Sequence, residues 1–462
     1  MLDQSINRRN FLQFLGIGTA TIGSGFAVPK IIAKTANGVL VESKSEYGGF
    51  QVEKLANGKY PYECDPDVLK RMSEKNNIFS RNSWDPARRN RPELTENLTY
   101  ENLVKGEGKL PNQNRLDYAL MAASWCASSI GSGWDIQSSR VRSMSFDRIG
   151  SWEPAGLDMT WEEASLAVKH AGLFFGASLA GIAKLNPLWL YSDNYAPSRM
   201  DRERAIPVLA EGDRFEQAND AWYIPESMNR VVAIAFEEDY IGIANSPGRL
   251  ASAAVGNGYS RMAFTAFALA EFIRALGYRA IPAGNGVGLS IPIAVDAGLG
   301  QLGRQGLLVT PKYGPRVRLA KVITDMPLVA DSPINFGVTE FCEVCKLCAE
   351  HCPSGAVSDG QRTWKGKSSA NNPGVLKWYI YGEKCYDFNG FSCSNCKRVC
   401  PFNKPNNSWL HKMIRQIIKG RVGALNKLMV NLDQASGYGE EVQDTEFWMM
   451  DGYKSITARE SM

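Results

Sequence analysis

Eight of the ten cysteines in this 462-residue chain lie close together, in two similar runs. The first run has the spacing C-x2-C-x2-C-x3-C-P and contains Cys342, Cys345, Cys348 and Cys352. The second has the spacing C-x7-C-x2-C-x3-C-P and contains Cys385, Cys393, Cys396 and Cys400. Thiolates at this spacing, with a proline after the last one, are typical ligands of 4Fe-4S clusters, which transfer single electrons.

The two runs are expected to share their cysteines between two clusters. Three cysteines on one tight turn converge on one cluster, whereas the fourth lies a helical turn further on and reaches the other. The spacing therefore predicts one 4Fe-4S cluster bound by Cys342, Cys345, Cys348 and Cys400. It predicts a second cluster bound by Cys385, Cys393, Cys396 and Cys352.

Other metal sites fit the sequence less well. Paired C-x2-C motifs also suit tetrahedral zinc, but the repeated C-x2-C-x3-C-P pattern is far more specific to iron–sulfur chemistry. The three histidines, His170, His351 and His411, are never three or four residues apart, so no histidine-built zinc site on one helix is expected.

Residues 1–36 have the layout of a twin-arginine export signal. Arg8 and Arg9 follow a polar start, and Phe11 and Leu12 lead into a weakly apolar stretch diluted by Gly and Thr. This route exports folded proteins, which suits a chain that takes up fragile cofactors before it crosses the membrane. The alternative is an ordinary amphipathic N-terminal helix. A membrane span would need about 18 uninterrupted apolar residues, and no stretch of the chain has them.

The composition excludes several classes of protein. With 44% hydrophobic and 22% charged residues, the chain is a folded protein and not a disordered one. The net charge is +4, of which only +1 remains outside residues 1–36, so no nucleic-acid partner is expected. Ten cysteines are too few for a disulfide scaffold. Cys64 and Cys126 are interpreted as buried or inert thiols, with a disulfide between them as the alternative in an exported protein.

The elements that must position the cysteines follow a readable order. Residues 37–160 mix Gly, Pro, Asn and both charges, which predicts a loop-rich N-terminal wrap around the core. Residues 161–330 alternate helical and strand patterns, which predicts an α/β core in a chain of the α+β class. Residues 331–405 form the cluster domain, and residues 406–462 form a C-terminal tail without an assigned structure.

Six elements are predicted inside the core. They are helices at 161–176 and 261–278 and strands at 229–236, 280–284, 306–311 and 317–324. The glycine-rich sequence GNGVG, residues 284–288, follows one of these strands and would let the backbone approach a bulky cofactor closely. The alternative is a tight turn that serves packing only.

From Tyr259 to Cys400 the chain resembles the cobalamin-dependent respiratory reductive dehalogenases. The motifs, in order, are YSRMAFTAFALAEFIRALGY, AIPAGNGVGLSIPIAVDAGLGQLGRQGLLVTPKYGPRVRL, TDMPLV and the two cysteine runs. The twin-arginine start is similar as well. The resemblance implies a nitroreductase-like α/β core that binds cobalamin, followed by a ferredoxin-like domain with two 4Fe-4S clusters. It also implies reductive removal of halide from an organic substrate.

The same resemblance implies three catalytic residues. Tyr259 of GYSRM matches the family's proton-donating tyrosine, Arg318 of GPRVRL its neighbouring arginine, and Asn285 of GNG its pocket asparagine. A neutral phenol can give a proton to carbon as the carbon–halogen bond is reduced, and a guanidinium stabilises the phenolate left behind. Without the resemblance, these would be a tyrosine at a helix start, an arginine in a strand-end salt bridge and an asparagine with left-handed backbone in a turn.

The cobalamin contacts are expected in the glycine loop. They are Gly284, Asn285, Gly286 and Gly288. The chain has no Asp-x-His-x-x-Gly motif to offer a lower histidine ligand to cobalt, so we expect the corrinoid to bind in its base-off form.

These observations predict a reductive dehalogenase that serves as terminal reductase in anaerobic organohalide respiration. One alternative is an enzyme of the epoxyqueuosine reductase type, which shares the corrinoid and the two clusters but acts on transfer RNA in the cytoplasm. The other is a ferredoxin-type electron-transfer subunit without catalysis of its own. The export signal argues against the first alternative, and the large core ahead of the clusters argues against the second.

The expected partners follow from the resemblance and from the signal. They are a small halogenated organic substrate, a small integral membrane anchor protein, an upstream low-potential electron donor and the twin-arginine export machinery. The expected location is the outer face of the cytoplasmic membrane, as a peripheral protein.

The export signal can be tested with a conservative substitution. Arg8→Lys combined with Arg9→Lys keeps the charge but removes the arginine pair that the export machinery recognises, so the protein should accumulate in the cytoplasm. Cell fractionation followed by immunoblotting measures this distribution. A doubly substituted protein that is still exported would show that the segment is not a twin-arginine signal.

Overall fold

A four-stranded antiparallel sheet with helices on both faces forms the centre of the computed structural model. The structure describes residues 52–56, 58–89, 120–121, 124–125, 159–195, 205–218, 220–389, 393–403, 423–443 and 447–448. All of them belong to one unit, Lys44–Met462. The predicted export signal and Cys126 lie outside the described residues.

The described strands and helices are short outside the core. The strands are β1 (Glu53–Lys54), β2 (Leu179–Lys184), β3 (Asp193–Asn194), β4 (Ile206–Leu209), β5 (Glu216–Gln217), β6 (Trp222–Tyr223), β7 (Arg230–Glu237), β8 (Ala280–Ala283), β9 (Gln301–Leu302), β10 (Leu308–Val309), β11 (Val317–Thr324) and β12 (Ile334–Asn335). The helices are α1 (Ile78–Trp84), α2 (Pro86–Arg89), α3 (Trp161–Phe174), α4 (Tyr240–Ala244), α5 (Arg249–Ala275), α6 (Ser290–Asp296), α7 (Val338–Cys345), α8 (Leu347–Glu350), α9 (Gly382–Asn389), α10 (Asn395–Arg398) and α11 (Gly423–Ala435).

The central sheet has the strand order β2-β7-β11-β8, and every neighbouring pair is antiparallel. Strands β7 and β11 pair along their full length, from Val317 opposite Glu237 to Thr324 opposite Arg230. Successive side chains of a strand point to opposite faces. Because both faces of this sheet are covered, β7 is apolar throughout its interior instead of alternating with polar residues.

Different helices cover the two faces. Val232, Ile234 and Phe236 pack with α3 and α5, whereas Val231, Ala233 and Ala235 pack with α6 and the segments beside it. The same alternation on β11 places Arg318 on the α5 face, beside Ala320 and Val322. It places Lys321 on the α6 face, between Leu319 and Ile323.

The long helix α5 is held on the sheet by one buried stripe of side chains. Val255, Tyr259, Met262, Ala266 and Ile273 share the apolar cluster with the strands, at spacings that return to one face of a helix. The predicted start at residue 261 is wrong, because the helix begins at Arg249 and Tyr259 therefore lies in its interior. None of the described helices, α5 included, has the length and apolarity needed to cross a membrane.

Most of the other predicted elements are confirmed. The helix predicted at 161–176 is α3, which begins at a capping box between Thr160 and Glu163. The strands predicted at 229–236, 280–284 and 317–324 are β7, β8 and β11. The strand predicted at 306–311 is only the two-residue β10, because the chain turns back at once, with Thr310 bonded to Gly314.

Two parts of the chain pack against residues 331–405, which we call the cluster segment. Strand β1 pairs with β12 ahead of α7, and Arg88 of α2 forms an ion pair with Asp387 of α9. From the predicted tail, Met429 and Val430 of α11 are buried in the apolar cluster that also holds Cys342, Cys345, Cys348 and Cys400. Helix α11 therefore packs with the cluster segment.

Two glycines that lie near each other in the core provide a matched test of its packing. A Cβ atom on Gly181 of β2 would lie 2.3 Å from the carbonyl oxygen of Ala297, whereas one on Gly172 of α3 would lie 3.5 Å from its nearest neighbour, Ile234. We expect Gly181→Ala to lower the free energy of unfolding by roughly 1–3 kcal/mol, because the contact is with backbone. We expect Gly172→Ala to leave it unchanged or to raise it by up to about 1 kcal/mol, because alanine favours the helix.

Anaerobic urea unfolding followed by circular dichroism measures both effects. Equal stabilities of the two variants would show that strand β2 does not lie as close to Ala297 as the structure places it.

Candidate active site

Three residues that are far apart in the sequence meet at one oxygen atom. The hydroxyl of Tyr259, which is only 4% exposed on α5, accepts a hydrogen bond of 3.0 Å from Nδ2 of Asn285. It accepts a second bond of 3.0 Å from Nη1 of Arg318 on β11. Neither bond uses the phenol proton, because the hydroxyl oxygen is the acceptor in both. The structure thus brings together the three residues that the sequence predicts to be catalytic.

The guanidinium of Arg318 also lies against the ring of Tyr259. Its Cζ atom is 4.1 Å from the ring centroid, which is the geometry of a cation–π contact. A phenolate at this position would accept charge-assisted bonds from the same two side chains. The arrangement therefore suits proton donation from a buried phenol.

Two glycines of α5 make room for the neighbours of Tyr259. The ring of Trp125 stacks on the Tyr259 ring at 4.9 Å between centroids, and a Cβ atom on Gly256 would lie 2.5 Å from it. A Cβ atom on Gly258 would lie 3.1 Å from Cβ of Arg318. Trp125 is a neighbour of the phenol that is not predicted from the sequence. The available signal was the pair Gly256 and Gly258 ahead of Tyr259. Glycine destabilises a helix interior, so its presence there indicates the close approach of another group.

The glycine loop 284–288 carries Asn285 to the phenol. Strand β8 ends one residue before the loop, and Nζ of Lys321 donates to the carbonyl oxygen of Gly284 at 2.6 Å and to Oγ of Ser290 at 3.0 Å. Lys321 is fully buried, and burial lowers the pKa of its ammonium group to about 7, against an opposing effect of Glu74. The loop is thus held from the α6 face of the sheet.

The individual residues of this loop differ from the expectation. The left-handed residue is Val287, with φ of 69°, so the alternative role of Asn285 as a left-handed turn residue is wrong. Gly288 serves packing, because a Cβ atom there would lie 2.6 Å from the carbonyl oxygen of Trp189. A β-branched residue with positive φ is strained, and such strain is found mainly at functional sites. The cobalamin contacts of Gly284, Asn285, Gly286 and Gly288 stay a prediction.

The structure brings the first predicted set of cluster ligands together. Cys342, Cys345, Cys348 and Cys400 line one cavity. Burial raises the pKa of the Cys342 thiol to about 11 and also raises the pKa values of Cys345 and Cys348. Thiols of this kind favour a bound cation, because they ligate as thiolates. The donor set therefore fits an iron–sulfur cluster.

The second predicted set lies beside the first. Burial, together with the charges of neighbouring cysteines of the same set, raises the pKa of Cys396 to about 12, and it raises the pKa of Cys393; Cys385 is exposed. In Cys352, burial is outweighed by hydrogen bonds from Ser354 and from backbone amides, so its pKa is lowered. Backbone amides that donate to a cysteine sulfur are also a common support of iron–sulfur ligands.

Arg304 is a buried cation that the sequence analysis did not select. It is 1% exposed, and its Nε donates to the carbonyl oxygen of Cys342 at 3.0 Å. Its Nη1 donates to the carbonyl oxygens of Ser358 and Gly360, and its guanidinium lies 4.4 Å from the ring of Trp378. Arg304 therefore ties the loop after the first cysteine run to the cluster cavity.

Cys64, which the sequence analysis interprets as a buried or inert thiol, is exposed and therefore not buried.

Comparison with known proteins agrees with this geometry. Residues 341–403 match the family described as a 4Fe-4S double cluster binding domain. The chain is 37% identical over 374 residues to a tetrachloroethene reductive dehalogenase of Sulfurospirillum multivorans, covering 75% of this chain and 73% of that protein. It is 39% identical over 309 residues to one of Desulfitobacterium hafniense, covering 62% of this chain and 56% of the other.

The fold has a counterpart among solved structures. A reductive dehalogenase, described in connection with B12-dependent dehalogenation, superposes with a TM-score of 0.62 at 19% identity. The match covers 87% of this chain and 51% of that one. The expected fold class, a mixed α/β core followed by a segment for two 4Fe-4S clusters, is confirmed.

The buried Lys321 predicts a pH dependence of stability. Its pKa is about 7 in the folded chain, whereas in the unfolded chain it has the ordinary value of 10.5. Between pH 7 and 10.5 the lysine is therefore more fully protonated in the unfolded chain than in the folded one. The free energy of unfolding therefore rises with pH in this window. Relative to Lys321→Met, the wild type should gain roughly 1 kcal/mol per pH unit from pH 7 to 10.

Anaerobic denaturant titrations at several pH values measure this difference, with Lys184→Met, at an exposed lysine of β2, as the control. A difference between wild type and Lys321→Met that stays constant from pH 7 to 10 would contradict the buried, neutralised lysine.

Proposed function

The chain belongs to the reductive dehalogenase family, and from this premise we propose that it removes halide from a halogenated organic compound by reduction. The single observation that carries the proposal is the meeting of Asn285 and Arg318 at the hydroxyl of Tyr259. The chain is an oxidoreductase with two 4Fe-4S clusters in the segment that contains the cysteine runs. The same structural unit thus holds a path for electrons and a donor for a proton.

Replacement of a carbon–halogen bond by a carbon–hydrogen bond takes two electrons and one proton and releases a halide ion. Delivery of single electrons and reductive cleavage of that bond are the chemistry that bound 4Fe-4S clusters and cobalamin supply. The residues of the chain supply the proton and the environment. Tyr259 gives its phenol proton to carbon, and Arg318 and Asn285 stabilise the phenolate until it is protonated again.

The glycine loop is the part of the chain proposed to hold the corrinoid. It carries Asn285 to Tyr259, it is supported by Lys321, and it contains the strained Val287. The described histidines support base-off binding, because neither has a place in this loop. His170 is exposed on α3, and Nδ1 of His351 lies 3.0 Å from the carbonyl oxygen of Leu347 in the cluster segment.

The cellular setting is part of the proposal. The adjacent Arg8 and Arg9 support export by the twin-arginine route, and the family resemblance supports a role as terminal reductase in organohalide respiration. There the protein would lie at the outer face of the cytoplasmic membrane, held by a small integral membrane anchor protein and supplied by a low-potential electron donor.

The two alternatives are less well supported. A plain electron carrier needs no buried phenol with two donors, whereas this core holds one. An epoxyqueuosine reductase would act on transfer RNA, and the near-neutral charge outside residues 1–36 does not favour that partner. Cobalt analysis of anaerobically purified protein separates an electron carrier from either corrinoid enzyme, and halide release separates the two enzymes.

Substitution of Tyr259 by phenylalanine tests the proposal. We expect Tyr259→Phe to lower halide release at least about 100-fold, because the ring remains but the proton donor is lost. Halide release is measured with a panel of chlorinated ethenes, alkanes and arenes and a low-potential donor. Cofactor content should stay normal, at about eight iron atoms and one cobalt per chain.

Tyr278→Phe is the matched control, because this tyrosine packs against the same apolar cluster beyond the end of α5. Its turnover should equal that of the wild type. Normal turnover in Tyr259→Phe would eliminate the phenol as proton donor.

A further inference from the structure

A buried carboxylate lies behind Arg318, on the side away from the phenol. Glu238 follows the last residue of β7, and its side chain is completely buried. Nζ of Lys397 donates to Oε2 of Glu238. Oε1 of Glu238 lies 3.7 Å from Nε of Arg318. Among the described residues, these are the two ion pairs of Glu238, and one of them leads directly to the proton-donating site.

The contact with Glu238 determines how Arg318 can rotate. The guanidinium group is planar and rigid, so the direction of Nε sets the directions of its other nitrogen atoms. In this structure Nε faces Glu238 while Nη1 donates to Tyr259 at 3.0 Å. Neither Nε of Arg318 nor Oε1 of Glu238 has a hydrogen-bond partner within the described part of the chain, and these two buried atoms face each other. A movement of well under 1 Å would close this contact into a hydrogen bond.

Helix α5 is shaped to accept both side chains next to Tyr259. A Cβ atom on Gly258 would lie 3.1 Å from Cβ of Arg318 and 3.6 Å from Cγ of Glu238. Arg318 and Glu238 therefore lie against bare helix backbone, one residue ahead of the phenol. This packing involves the first two carbons of the Arg318 side chain, so the direction of the guanidinium at its far end is set by its polar contacts.

The charges explain why a carboxylate is needed at this position. Lys397, which follows Cys396 in the sequence, is buried, and together with Arg318 it places one cation at each carboxylate oxygen of Glu238. Without the carboxylate the two cations would repel each other in a region of low dielectric constant. Arg318 is the more exposed of the two, at 22%, so it is the one that would move.

We propose that Glu238 is the positioning residue of this site: it holds Arg318 in the orientation that stabilises the Tyr259 phenolate, while Lys397 fixes Glu238 from the cluster segment. The inference rests on the proposed role of Tyr259. Glu238 acts on proton delivery through Arg318, which faces Glu238 with Nε and donates to the phenol with Nη1.

Glu238→Gln removes the charge and keeps the volume. We expect kcat to fall roughly ten- to a hundredfold, because Arg318 is no longer oriented, while KM changes less than about twofold. Iron and cobalt contents and the EPR spectra of the reduced clusters should equal those of the wild type. Glu237→Gln is the matched control, since this neighbouring carboxylate pairs with Arg316 at 2.7 Å instead, and its kcat should stay within about twofold.

A double variant distinguishes positioning from a general structural role. If Glu238 acts only through Arg318, then Glu238→Gln combined with Arg318→Lys should be no slower than Arg318→Lys alone. If kcat of the double variant fell by the product of the two single-variant factors, the proposal would be overturned. A normal kcat in Glu238→Gln would also overturn it.

A charge-balanced variant covers the case in which Glu238→Gln does not fold because Lys397 is left unpaired. Glu238→Gln with Lys397→Met removes both buried charges, and its kcat should stay low because Arg318 is still not held. A normal kcat in this variant would overturn the positioning role. If Tyr259→Phe retains turnover, the proton-donor role itself fails; if only the Glu238 variants are normal, the positioning role alone fails.

Discussion

The candidate site depends on one oxygen atom, the hydroxyl of Tyr259, which accepts bonds from Asn285 and Arg318. The register of the central sheet makes this meeting possible. It places Arg318 on the face that α5 covers, and it pairs β11 with β8, the strand that leads into the glycine loop. A slip of β11 by one residue would turn Arg318 to the opposite face and bring Lys321 toward α5.

The helix gives up intrinsic stability to allow these contacts. Gly256 and Gly258 each cost about 1 kcal/mol relative to alanine in a helix interior. In return, the ring of Trp125 lies on one side of Tyr259, and the side chain of Arg318 lies against the backbone on the other. A similar exchange occurs in the loop, where the carbonyl oxygen of the left-handed Val287 accepts a hydrogen bond of 2.9 Å from the backbone amide of Tyr191.

The cluster segment and the catalytic core are linked through charge. Burial raises the pKa values of the Cys342 and Cys396 thiols, and a bound cation favours their thiolate forms; Arg304 and Lys397 bring further cations to the same region. Lys397 is bonded to Glu238, which faces Arg318. Lys397, which lies between two predicted cluster ligands in the sequence, is therefore linked through one carboxylate to the arginine that we propose stabilises the phenolate.

The chemistry was readable in the sequence because it depends on local patterns. Cysteine spacing indicated the two clusters, and hydrophobic runs indicated α3, β7, β8 and β11. The start of α5 was misjudged because glycines near Tyr259 resemble a helix boundary in sequence, whereas in the fold they are points of close approach. Glu238 carries no local signal, and for Trp125 the only one is the pair of glycines ahead of Tyr259. Their roles arise from contacts between distant segments, and such contacts exist only once the sheet register and the packing of α5 are set.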